Sequence, residues 1–168
     1  MNAVLDAWNG AGEDEARDAM LACCSAKRWV EAMVARRPIA SVAELSEAAD
    51  RAWSTMGEAD WLEAFACHPR IGERKTHAAS QSSAWSNQEQ ASVASAQEDV
   101  LTELAEGNAL YEQRFGFSYI VCATGKSAAE MLAILKPRLG SDRAAELREA
   151  AEQQRQILQI RLGKWLTQ

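Results

Sequence analysis

At 168 residues the chain is long enough for one domain and short for two, and a globule of that size buries roughly 70% of its unfolded surface without a metal or disulfide. Ala, Glu, Leu, Gln and Arg dominate, with 9 Gly, 3 Pro and few β-branched residues, a balance that favours helix over sheet. The formal net charge of −6 argues against nucleic acid or anionic membrane as the main partner.

No apolar run approaches the roughly 18 residues of a membrane span, and neither an export leader nor a peroxisomal address is visible, so a cytoplasmic location is expected. Cys23, Cys24, Cys67 and Cys122 form no C-x-x-C pair, and their apolar contexts predict small buried thiols rather than a metal site. With no repeat and no composition shift, residues 1–168 are expected to form a single all-α domain.

In chain order, a short helix is expected over 2–8, ending at Asn9-Gly10. Helical spacing then runs from Glu13 through Ala16, Met20 and Cys23 to Trp29-Val30 and Met33-Val34, until Arg37-Pro38 stops it. Ser41-Val42-Ala43-Glu44 reads as a capping box for a helix with Leu45, Ala48-Ala49, Ala52-Trp53 and Met56 on one stripe. A helix over 59–66 comes next, and then His68-Pro69-Arg70-Ile71-Gly72-Glu73 and a polar stretch over 74–83 without apolar period, in which His77 is given no role. The next helix is expected to start at Ser86 and run to about 106, with Gly107 as a break and a further piece over 108–115 ending at Gly116. Residues 117–123 have strand-like chemistry but no partner strand, and read as buried extended backbone or an awkward helical piece. Ser127-Ala128-Ala129-Glu130 is another capping box, for a helix that Pro137 disturbs. Ser141 is expected to cap the last helix, 142–166. The six tryptophans read as core anchors.

His68 draws attention first. Pro69 pushes the residue before it out of the α region, so the histidine stands where a helix stops. Its reference pKa of about 6.5 suits proton transfer near neutral pH. Ser86-x-x-Glu89-Gln90 has two readings: a capping box, or a helix N-terminus whose N–H groups and dipole receive an anionic ligand while Glu89 meets a ligand or an imidazole. Both uses compete for one carboxylate, and the residues alone leave both open. Arg161 shares a helix face with Leu158 and Trp165, either as a snorkelling side chain or as a bidentate clamp for a carboxylate or urea-like carbonyl. Without a phosphate loop, dinucleotide fingerprint, H-E-x-x-H or G-x-S-x-G, an enzyme of this sequence is expected to work without metal or organic cofactor.

Taken together, His68-Pro69-Arg70-Ile71-Gly72, Ser86-x-x-Glu89-Gln90, Asn108-x-x-Tyr111-x-x-x-Phe115-Gly116-Phe117 and Ile157-x-x-Ile160-Arg161-Leu162 resemble, in order and separation, the OHCU decarboxylase family (2-oxo-4-hydroxy-4-carboxy-5-ureidoimidazoline decarboxylase). The resemblance covers essentially the whole chain. It implies an irregular helical fold and cofactor-independent loss of CO2 from OHCU to give (S)-allantoin, the last step converting urate to (S)-allantoin. It also implies His68 as acid/base with Glu89 as its partner, Pro69, Ser86, Gln90 and Arg161 as substrate ligands, and backbone from Val121 onward as a wall of the site. A homodimer is a further family expectation. Arg70-Ile71-Gly72 looks like the bacterial variant. The chain departs from the family pattern at Ser118, where many members have a proline, and at Tyr119, where phenylalanine is common. A non-enzymatic helical adaptor is the rival reading and predicts exposed apolar stripes; another lyase or hydrolase of ureide breakdown on this scaffold is a second.

Overall fold

The computed structural model describes residues 2–72, 81–91 and 97–168. Among them the chain is all helix, without a strand: α1 (Ala3–Gly10), α2 (Glu13–Cys23), α3 (Lys27–Ala35), α4 (Val42–Ser54), α5 (Glu58–Phe65), α6 (Gln81–Glu89), α7 (Glu98–Phe115), α8 (Ala128–Arg138) and α9 (Arg143–Trp165). No described helix is long and apolar enough to cross a membrane. Glu73, His77 and most of the expected polar stretch lie outside the described residues.

The chain divides into two compact units, one of Met1–Ala64 with Arg155–Gln168 and one of Phe65–Gln154. In the first, Asn2 caps α1 by accepting from the Val4 and Leu5 amides. The helical run expected from Glu13 to Val34 is two helices, because Cys24 leaves α2 with extended backbone (φ −152°, ψ 129°). That break lets α3 fold back on α2, and α3 then packs on α4. Ser41 caps α4 by accepting from Glu44 N, whereas the Glu44 carboxylate reaches past the cap to Ala40 N, so the box is only half made. The core is built on indoles: Trp8 packs edge-on to Trp165 at 6.0 Å. Trp8 Nε1 donates to Ala16 O (3.0 Å) and Trp29 Nε1 to Ala49 O (3.2 Å), so these tryptophans bury area while keeping their donors satisfied. Five of the six are buried; Trp61 is only half-buried, and among the described residues its indole nitrogen finds no acceptor. From α9, Gln159 binds Ser46 and Asp50, and Arg155 pairs with Asp50 at 3.1 Å.

In the second unit α7 packs on α8. Gly107 is no break: it lies inside α7, where a Cβ would come within 2.5 Å of Leu135 Cδ2, and its missing side chain lets α8 close in. Gly116 ends α7 in the left-handed region (φ +79°). The Ser127–Glu130 box is complete, and α8 continues to Arg138 with Pro137 in its last turn. Asp142, one residue after the expected Ser141, caps α9 by accepting from Ala145 N at 2.9 Å. Residues 117–123 run without regular structure, as expected, and all but Ser118 are buried. They are held by an aromatic cluster, with Tyr111 lying 4.7, 5.7 and 5.4 Å from Phe115, Phe117 and Tyr119. A buried ionic knot sits beside it. Tyr111 donates to Glu146, Arg138 Nε donates to Glu146 (2.6 Å) and Arg138 Nη1 to Ile120 O (2.7 Å). Burial, and then the bond to Glu146, pushes the Tyr111 hydroxyl far above its ordinary range, so it stays a donor.

Candidate functional site

α5 ends at Phe65, and the turn after it is closed by His68 N donating to Phe65 O at 3.1 Å. The helix stop expected at the histidine is therefore real. His68 is half-buried, and its Nε2 lies 2.7 Å from Oε1 of Gln154, a residue 1% exposed on α9. The turn beyond His68 is tied down at three successive residues. Arg70 makes a bidentate pair with Glu112 (2.6 and 2.7 Å), which holds the Glu112 carboxyl below its usual range. Ile71 O accepts from Asn108 Nδ2 (3.0 Å), and Gly72, at φ +94°, donates its N–H to Gln90 Oε1 (2.9 Å). Only glycine takes that φ without strain, which gives Gly72 its use.

One expectation fails here. Ser86 is not a helix cap, and Glu89 is not at a helix start: α6 begins at Gln81, so both lie in its second half, with Glu89 its last residue. The positive helix end therefore cannot act at Glu89. Both side chains are buried, Ser86 at 3% and Glu89 at 9% exposure, as interior polar groups rather than first-turn caps. A capping box and an interior S-x-x-E look alike in sequence; contacts made elsewhere decide between them. Gln90, half-buried, spends its carboxamide oxygen on Gly72, and Pro69 is half-buried. Val121 is buried, and the next amide, Cys122 N, donates to Gln153 Oε1 at 2.9 Å.

Within the unit 65–154, then, His68, Pro69, Gln90 and the backbone at Val121 belong to segments linked through α6, α7 and α9. Arg161 belongs to the other unit, where it is 4% exposed on α9, and its charge acts on the Cys23 thiol, which burial has pushed up to about 12. The thiol expectation holds for Cys23, Cys24 and Cys122 but not Cys67, which is exposed because α5 has already ended and its side chain has no helix face to bury. A cavity of about 630 Å³ opens beside the 70–72 turn, lined by Leu101, Ala105, Asn108, Ala109, Glu112 and Gln113 of α7, without His68 or Glu89 on its wall. No three His, Cys, Asp or Glu side chains are grouped as metal ligands among the described residues. Gln153 and Gln154 escaped sequence reading because Glu152-Gln153-Gln154-Arg155 looks like a solvated face. Gln154 nevertheless falls four residues from Ala150 and from Leu158, both fully buried, and a polar residue on an apolar stripe is the available signal.

Comparison with known proteins agrees with the motifs. Over 155 residues the chain is 36% identical to the uric acid degradation bifunctional protein TTL of Arabidopsis thaliana, taking in 91% of this chain and 47% of that protein, about half its length. It is 26% identical over 162 residues to the 2-oxo-4-hydroxy-4-carboxy-5-ureidoimidazoline decarboxylase of Haloferax volcanii, covering 96% of this chain and 95% of the relative. Its fold matches a crystal structure of OHCU decarboxylase in the presence of (S)-allantoin with TM-score 0.78 and 32% identity, over 90% of this chain and 99% of the other. Residues 9–163, reaching across both compact units, match the family model for OHCU decarboxylase, and the chain belongs to that family.

Proposed function

We propose that the chain decarboxylates OHCU to (S)-allantoin in urate degradation, with His68 as acid/base residue. The observation that carries this reading is the family match running across His68, whose ring is held on a buried glutamine at a helix stop. In the substrate the carboxylate sits on a carbon next to a C=N bond, so the ring takes up the electron pair released with CO2. The protein then has two tasks. It holds the breaking C–C bond perpendicular to the ring plane, which is positioning work. It also delivers a proton to one face of the enol-like intermediate, which sets the (S) centre; such acid–base help is typically worth about 10²–10⁴-fold. Glu89 is assigned as the partner of His68 at the reacting ring. Pro69, Ser86, Gln90, Val121 and Arg161 are assigned to the ureido and ring polar groups, with Arg161 offering a planar fork to a carboxylate or carbonyl. Homodimerisation and a cytoplasmic location complete the reading.

The test supplies freshly generated OHCU and follows allantoin by circular dichroism. The wild-type chain should give (S)-allantoin, and His68→Asn should lose at least about a hundredfold in rate with its melting curve unchanged. Unchanged turnover in that variant would end the assignment of His68. Hydroxyisourate and allantoin as alternative substrates test the rival ureide chemistries, and turnover of neither OHCU nor these would leave the adaptor reading.

A further inference from the structure

Adjacent residues on one turn of α9 hold two parts of the proposed site: Gln153 Oε1 accepts from Cys122 N at 2.9 Å, and Gln154 Oε1 lies 2.7 Å from His68 Nε2. The two bonds differ in kind. A backbone amide always donates, so Gln153 only anchors the 117–123 segment. An imidazole nitrogen is a donor or an acceptor according to where its proton sits. A carboxamide oxygen only accepts, so the oxygen facing the ring requires hydrogen on Nε2. Gln154 is 1% exposed, and Leu147 and Ala150 on the same stretch of α9 are buried as well, so its side chain is shut off from solvent. A glutamine buried on an apolar stripe with its oxygen on a histidine ring is costly unless that bond is made.

We propose that Gln154 is a positioning residue for His68: its carboxamide oxygen binds Nε2–H, keeps hydrogen on that nitrogen and so fixes the ring's orientation. This rests on His68 being the acid/base residue, but the tautomer can be read without any turnover. The chain has two histidines, so ¹⁵N NMR of the full-length protein resolves two rings, and His77→Gln assigns them.

In the wild type the His68 Nε2 signal should be that of a protonated nitrogen. Gln154→Leu, which removes the acceptor at similar volume, should mix the tautomers and lower kcat about a hundredfold with KM changed less than threefold, the mark of lost alignment rather than lost binding. Gln154→Glu should keep the proton on Nε2 and recover part of kcat, because its oxygen also accepts. Gln153→Leu should leave the His68 tautomer as it is. If Gln154→Leu does not give a native melt, Gln154→Asn, one methylene short, serves in its place. A wild-type His68 without hydrogen on Nε2, or a Gln154→Leu ring and kcat like the wild type, overturns the proposal. A chain that fails to turn over OHCU yet shows the Nε2–H tautomer and its loss in Gln154→Leu refutes the acid/base role alone and leaves the Gln154 anchor standing.

Discussion

The two compact units solve burial differently. In the unit built on Met1–Ala64 the interior is apolar except for Arg161, with indole donors of Trp8 and Trp29 aimed at backbone carbonyls. In the unit Phe65–Gln154 the interior contains Ser83, Ser86, Glu89, Asn108, Arg138, Glu146 and Gln154; among the described residues Arg161 is the buried polar side chain of the other. Buried polar groups are expensive unless fully paired, and they persist where orientation matters more than stability. The unit that carries His68 is the one that spends stability on them.

Thiol labelling gives the widest contrast. Cys23, buried in the first unit with its thiol pushed up to about 12, is thiolate in only about one molecule in 10⁴ at pH 8, while Cys67 in the second is exposed. Mass spectrometry after brief alkylation should find Cys67 modified and Cys23 untouched until denaturant is added. Removing one polar partner in each unit comes next. Glu146→Gln leaves the Arg138 guanidinium buried without a countercharge and should cost about 3–5 kcal/mol, a fall in Tm of about 10 °C. Trp29→Phe loses one neutral hydrogen bond and some packing and should cost about 1–2 kcal/mol. Equal losses would mean the ionic knot is no more critical than an indole.

Glycines give a smaller contrast of opposite sign. Gly107→Ala must push Leu135 aside and should destabilise by about 1 kcal/mol after its gain in helix propensity. Gly163→Ala, in the α9 segment of the first unit with nothing near its would-be Cβ, should stabilise by about 0.5–1 kcal/mol. Denaturant melts of the two variants decide it. The smallest effect belongs to Arg70–Glu112, a half-exposed pair worth less than about 1 kcal/mol after solvent screening. Because its folded pKa is depressed, Glu112 adds stability above the unfolded carboxyl value of about 4.3 and loses it as pH falls through the lower folded value. The gap between wild type and Glu112→Gln should accordingly be present at pH 7 and close on acidification.

How far each feature could be read from sequence depends on the range of the interactions that make it. Caps and stops answer to neighbours within a few residues. Ser41, Ser127–Glu130, the Gly116 terminator and the turn at His68 could therefore be seen in the chain, and so could the all-helical fold. The family motifs were also legible, because they are spacings along the chain.

Burial and pairing are made across it. Ser86 and Glu89 look like a helix start, yet α6 begins five residues earlier and folds both inside; Gly107 looks like a break, yet Leu135 needs its missing side chain. Tyr111, Arg138 and Glu146 meet from three helices, and Gln154 meets His68 from 86 residues away. Local chemistry by itself determined where helices stop and which residue types stand ready for proton transfer. Which polar side chains lose water, and which partner each then holds, was decided only by tertiary packing, since the cost of desolvation depends on neighbours that sequence separation does not reveal.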